Sequence, residues 1–232
     1  MLRDERISTS AIRGVFVEEI TARRGTVSEP FDDGRRLFLR SILPDVTEVR
    51  RNDRVQGGVA LRANGQEAWI HPYVFRQVCK NGAIMARAIQ TRHVAEFELR
   101  EPDEVLAEIR EAVAACCAPE AFSDAAERMR SSQEVVVDLA LTLMPFAARF
   151  PGTILSQLMR QFFGEADHSA FGLANAITAT ARDQSDPDLR WRLEEFGGGV
   201  FVDPTPRRPS DDRRAALREP CSESDALLQM VN

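Results

Sequence analysis

"DRVQGGVALRANGQEAWIHPYVF", residues 53–75, is the stretch whose reading decides the fold class. Asn64-Gly65 at its centre is the strongest short-range hairpin signal, because a type I′ turn needs positive φ at both central residues. The flanks "VALRA" and "QEAWI" alternate apolar and polar residues, the period of a half-buried strand. Gly57-Gly58 suits a bulge or a turn. The stretch therefore predicts an antiparallel sheet with a β-hairpin in the N-terminal half.

Upstream, "GVFVEEI" (14–20) reads as a strand, with Val15 and Val17 alternating with Phe16. "RRLFLRSILP" (35–44) is open between a strand and a short helix, closed by Pro44. Downstream of Pro72 the apolar period changes to 3.6. Phe75, Val78, Cys79, Gly82, Ala86 and Ile89 fall on one helical face, and Arg76, Lys80, Ala83 and Arg87 on the other. Gly82 costs about 1 kcal/mol inside a helix relative to Ala, so Asn81-Gly82 marks a close backbone approach or the end of one element. Val94, Phe97 and Leu99 suggest one more short strand.

From residue 102 the pattern is helical. Asp103 is a cap candidate ahead of Leu106, Ile109 and Val113, and Pro119 stops that helix. Ser123 or Asp124 opens the next, and Ser131-x-x-Glu134 has the capping-box pattern. "TILSQLMRQFF" (153–163) is amphipathic, and "HSAFGLANAITATAR" (168–182) is a further helix. Asp186-Pro187 starts the last one, and Gly197-Gly198-Gly199 reads as its C-cap. Residues 203–225, rich in Pro and charge, read as a solvated tail, with "ALLQMVN" (226–232) as a weak docking segment. The expected architecture is one α+β domain over 1–202, β-rich over 10–100 and helical over 101–200, with a flexible tail over 203–232.

Composition narrows the function classes. The 232 residues carry a net charge of −6, and Lys80 is the single Lys against 29 Arg. So general a use of Arg weakens any argument that one Arg was selected for bidentate chemistry. Charge is uneven: 17 basic against 13 acidic residues over 1–100, and 13 against 23 over 101–232. An asymmetry of this kind hints at a polyanion contact in the first half. The four Cys form no CxxC, so a disulfide framework is not expected and a reducing compartment is. "MLRDERISTSAIRG" has no apolar run, which predicts no secretory signal. No stretch reaches the ~18 apolar residues of a membrane helix. A cytoplasmic protein with no membrane partner is expected.

No spacing points to catalysis. His71, Cys79 and His93 match no zinc pattern. A thiol on an apolar face is the common inert case, so Cys79 is expected in the core. There is no phosphate-cradling Gly loop, and Asp32-Asp33 and Glu194-Glu195 read as solvated faces. No catalytic residue, metal or cofactor is expected. A basic surface remains, formed by Arg50, Arg51, Arg54, Arg62, Arg76, Lys80 and Arg87, with Trp69 and Tyr73 as stacking candidates. Guanidinium groups on a sheet can track a phosphate backbone while aromatic rings stack on unpaired bases.

Two motifs carry a family resemblance. The first is Arg-x-x-Cys-x-Asn-Gly, here Arg76, Cys79, Asn81 and Gly82. The second is Asn-x-x-Thr before Leu-Glu-x-x-Gly-Gly, here Asn175, Thr178, Leu193, Glu194, Gly197 and Gly198. Over residues 45–200 the chain resembles the phage- and plasmid-borne family of domain of unknown function 932. The resemblance implies a mobile-element or defence setting, and by analogy with phage annealing proteins a role on single strands. Cys79, Asn81, Gly82, Asn175 and Thr178 are then structural positions. The expected function is non-enzymatic binding of single-stranded DNA or RNA, in a homo-oligomer or with partner proteins. The alternative is a protein-interaction or scaffold subunit of a mobile-element or defence complex.

Overall fold

The computed structural model describes residues 7–203. The hairpin forms as the alternation predicts: β4 (Asp53–Ala63) pairs antiparallel with β5 (Ala68–Arg76), from Val55 opposite Arg76 to Ala63 opposite Ala68. Its turn is of another kind, since neither Asn64 nor Gly65 has positive φ. The loop is four residues long, and the Asn64 Oδ1 accepts hydrogen bonds from the N–H groups of Gln66 and Glu67. A side-chain Asx turn thus replaces the left-handed backbone.

Around the hairpin stand β1 (Thr26–Asp32), β2 (Leu37–Ile42), β3 (Val46–Arg50), β6 (Asn81–Ile84) and β7 (Arg92–Val94). The sheet order is β1-β2-β4-β5-β6, with β3 also beside β4 and β7 also beside β5. All pairings are antiparallel. The helices are α1 (Thr9–Ala22), α2 (Pro102–Cys116), α3 (Pro119–Ser131), α4 (Leu139–Arg149), α5 (Gly152–Gly164), α6 (Ala170–Arg182) and α7 (Pro187–Val202). The fold is α+β, with the sheet in the N-terminal half and most helices in the C-terminal half. Among the described residues no helix is long and apolar enough to cross a membrane.

Period two sorts the sheet into two faces. The first face carries Leu37, Leu39, Val59, Leu61, Ala63, Ala68 and Ile70, packed against Ile12, Phe16 and Ile20 of α1 and Val105, Ile109 and Val113 of α2. Fully burying a side chain of this size is worth about 1.5–3 kcal/mol. Toward the other end of the strands, Val55, Val74 and Ala83 join a second core with α3, α5, α6 and α7. The second face carries Phe38, Ala60, Tyr73 and Ile84, and α7 lies across it through Trp191.

Several expectations are corrected. "GVFVEEI" is the middle of α1, not a strand: Ser8 caps the helix at the Ala11 N–H, and Ile12, Val15, Phe16 and Ile20 are its buried apolar residues. Three apolar residues in a row fit either period, and the longer spacing decides. The helix expected after Pro72 is absent. β5 continues to Arg76, a turn follows, and Asn81–Ile84 returns as β6 with Asn81 opposite Arg76. The supposed apolar face fails at its ends, where Val78 is 60% and Ile89 86% exposed. Lys80 takes φ 50°, a left-handed value that a helix does not contain. Gly82 is a close approach: a Cβ there would sit 1.8 Å from the Tyr73 hydroxyl oxygen.

The final helix also runs past its expected stop. α7 continues through Gly197–Gly199 to Val202, because Gly198 passes directly over β6. Pro102 and Pro119 start α2 and α3 at the first turn, where a missing N–H costs nothing. Ser131-x-x-Glu134 caps no helix; Asp138 caps α4, and Pro145 lies inside α4. Of the last short strand only β7 forms, and Phe97–Leu99 is a single 3-10 turn. The tail over 204–232, with "ALLQMVN", lies outside the described residues.

Candidate functional site

The seven basic residues do not form one stripe. Arg76 is held on the first sheet face by Asp53, its Nε 2.7 Å from both carboxylate oxygens, and its guanidinium lies 5.2 Å from the Phe171 ring centroid. Arg50 pairs with Asp167 at 2.6 Å, and Arg87 with Asp203 at 3.7 Å. Arg51 and Arg54 are exposed at the β3–β4 end, and Lys80 sits in the β5–β6 turn beside them. Arg62 is on the face opposite Arg76 and at the other end of β4 from Arg54, about 26 Å away at ~3.3 Å per residue. Sequence spacing placed Arg76, Lys80 and Arg87 on one helix, and the β5–β6 turn that replaces it disperses them.

The predicted structural residues do converge. The Asn81 amide donates to Thr178 Oγ1 at 2.8 Å and to the Asn175 carbonyl at 3.3 Å, all buried. This latch ties β6 to α6. Cys79 is corrected from core to turn: it is half-buried, and its sulfur accepts from Arg76 Nη1 at 3.4 Å. Tyr73 is also corrected. It is 3% exposed beneath α7, so no ligand base can stack on it.

Trp69 and Arg62 are the pair that remains open. They face each other across β4 and β5, in a register row that runs Phe31, Phe38, Arg62, Trp69, His93 over five strands of the second face. α7 reaches this row through Trp191, which packs on Phe38 and lies beneath the Arg62 guanidinium, and leaves Arg62 and Trp69 part-exposed. A cleft of about 240 Å³ is left at the margin, lined by Arg36, Phe38, Arg62, Glu67, Trp69 and Asp188. The Trp69 ring stacks on His93, centroids 3.7 Å apart and 9° from parallel. His93 Nε2 is 2.8 Å from Glu67 Oε2. The His71 ring lies 6.2 Å from Trp69 and 15° from parallel, and Arg62 is the cross-strand partner of Trp69 on β4. The indole Nε1–H is buried with no partner among the described residues.

Charge in the cleft is of both signs. No carboxylate of the described residues lies within ion-pair distance of Arg62, which sits 5.8 Å from the Trp191 ring centroid. Arg36 bridges Asp33 and Asp188, with Nη1 2.5 Å from Asp188. The Arg36 and Arg35 backbone N–H groups hold the Asp33 carboxyl down at about 2. Burial raises Glu195, and the nearby positive charge of Arg62 opposes that shift.

A buried charged layer supports the cleft from beneath α7. Glu194, 1% exposed, accepts from Arg40 Nε at 2.7 Å and from Arg190 Nε at 3.0 Å. Glu194-Glu195 is therefore no solvated face. Arg40 also lies 5.9 Å from the Trp191 centroid, and its Nη2 has no partner among the described residues. His71 stands beside them, with Nδ1 3.2 Å from Thr91 Oγ1. Burial, then the charge of Arg62, push its pKa down to about 4.

That shift has a stability consequence. A histidine whose folded pKa lies below its unfolded value of about 6.5 binds fewer protons in the native state, so its stabilising contribution is present above pH 6.5 and is lost as pH falls toward 4. The loss amounts to about 3 kcal/mol by pH 4. Urea titrations at pH 7 and pH 4 are expected to show this loss in the native chain and a clearly smaller one in His71→Gln.

Arg36, Glu67 and Asp188 of the cleft were not found from sequence. One signal was available for the layer beneath: in "LFLRSI" Arg40 shares the period-two face of Phe38. Among the described residues no cluster of three or more His, Cys, Asp or Glu is placed to hold a metal ion. Comparison with protein-family models, with curated proteins and with solved structures finds no match to this chain.

Proposed function

We propose that the protein binds single-stranded nucleic acid without catalysing chemistry, and that it takes an unpaired base at the open margin of its sheet. The observation that carries this reading is Arg62, a half-buried guanidinium without a carboxylate partner among the described residues, set directly opposite Trp69 across an accessible cleft. A base that leaves its stack needs an aromatic face, and its phosphate needs a cation not already neutralised. Arg51, Arg54 and Lys80 at the far end of the hairpin supply further exposed charge for a strand that continues past the cleft. The resemblance to a phage- and plasmid-borne family favours the same reading.

The test is fluorescence anisotropy of a labelled 40-mer single strand at low and moderate salt. Binding is expected to weaken with salt, and Arg62→Glu to lower affinity about tenfold or more and reduce the salt slope by about one. Arg54→Glu is expected to cost less. No anisotropy change at low salt overturns the proposal.

A second reading has its own observation. Val136, Leu141, Met144 and Phe163, in and around α4 and α5, are apolar and 43–89% exposed, a surface suited to a protein partner. Absence of strand binding, together with a defined oligomer that Phe163→Glu dissociates, transfers the conclusion to a protein-interaction subunit.

A further inference from the structure

We infer that the cleft between Arg62, Trp69 and Asp188 reads guanine in preference to the other bases. The inference rests on the strand-binding proposal and names the base that the site selects. The lining is chemically mixed: guanidinium donors from Arg62 and Arg36, carboxylate acceptors from Glu67 and Asp188, and one aromatic wall from Trp69. Both carboxylates keep spare acceptor capacity, since Glu67 meets His93 through Oε2 and Asp188 meets Arg36 through Oδ2. Arg62 has no carboxylate to satisfy it, and its guanidinium rides over Trp191 rather than over Trp69. The part-exposed Trp69 ring lines the cleft as its aromatic wall.

Guanine is the base that fits such a lining on two edges. Its N7 and O6 accept a bidentate guanidinium. Its N1–H and N2–H2 donate side by side, and a carboxylate accepts both. Adenine reverses the pattern, presenting an N6–H2 donor to the guanidinium and the N1 acceptor to the carboxylate. Uracil and thymine offer one ring N–H between two carbonyls, and a carboxylate there meets repulsion on both sides. Cytosine satisfies the carboxylate through N4 but has no N7/O6 edge. A purine also covers more of the Trp69 face than a pyrimidine does.

The experiment is a titration of the full chain with GMP, AMP, CMP, UMP and inorganic phosphate, followed by tryptophan fluorescence and calorimetry. It is run beside two 40-mers, one free of guanine and one with guanine at every fourth position. GMP is expected to bind about tenfold or more tighter than AMP, and phosphate alone far more weakly. Arg62→Gln and the double change Glu67→Gln/Asp188→Asn are each expected to abolish the preference while a cooperative urea transition is kept.

Equal binding of all four nucleotides and of both strands overturns the guanine inference and leaves strand binding standing. Binding of neither strand and of no nucleotide overturns both. A GMP preference without strand binding upholds the cleft as a guanine site and overturns the strand reading alone. A preference that survives both sets of changes overturns the assignment of the reading groups.

Discussion

Glu194→Ala is expected to cost about 3–5 kcal/mol of folding stability, because it leaves the Arg40 guanidinium buried without its counter-charge. Arg40 is 3% and Glu194 1% exposed, and their Nε–Oε2 distance is 2.7 Å. Water cannot replace the lost partner beneath α7. Arg190, less deeply buried, loses its bond to the same carboxylate. Replacing both charges by apolar groups of similar volume removes the desolvation cost together with the attraction. Arg40→Met/Glu194→Leu is therefore expected to recover most of the loss, and urea midpoints of the native chain, Glu194→Ala and the double variant measure this directly. A single variant as stable as the native chain sinks the account. So does a double variant no better than Glu194→Ala.

The second large effect is expected at Gly198. A Cβ there would lie 1.9 Å from the Ile84 carbonyl oxygen, an atom of the β6 backbone that cannot rotate away. Gly198→Ala must push α7 off the sheet, and the same movement pulls Trp191 and Glu194 from their partners. Overpacking typically costs 1–3 kcal/mol, and the linked losses place the expected cost at about 3 kcal/mol or more. Gly199 is the internal control. Nothing lies within 4 Å of a Cβ at that position, so Gly199→Ala should stabilise the helix by up to about 1 kcal/mol. Opposite signs at adjacent glycines in one denaturation series are the expected result. Equal effects would mean that the α7–β6 approach does not limit the packing.

Much of the fold was legible where one period ran unopposed. "VALRA" lies in β4 and the Ala-Trp-Ile of "QEAWI" opens β5, both central strands flanking the Asn64-Gly65 turn. "AFGLANAITATAR" and "DLRWRLEEF" carry long helical periods and lie in α6 and α7. Reading failed where a short apolar run fitted two periods, as in "GVFVEEI". It failed again where tertiary pairing overrode an apparent helix, as in residues 74–89. The same failure undid the candidate site, since a basic stripe drawn on that helix became Arg76 in a buried pair with Asp53, Lys80 in a turn and Arg87 beside Asp203.

By itself the sequence determined the antiparallel hairpin, the helical second half and a backbone requirement at Asn81-Gly82. These follow from local period and backbone geometry, which neighbouring residues impose on one another. Only the tertiary structure decided which charges are neutralised and which are free. Arg40 meets Glu194 across 154 positions, Arg50 meets Asp167 across 117, and Arg62 meets no carboxylate of the described residues. Coulomb attraction depends on separation in space and on burial rather than on separation along the chain. The cleft at Arg62 and Trp69 therefore exists only once α7 has been laid across the sheet, with Asp188 forming part of its lining.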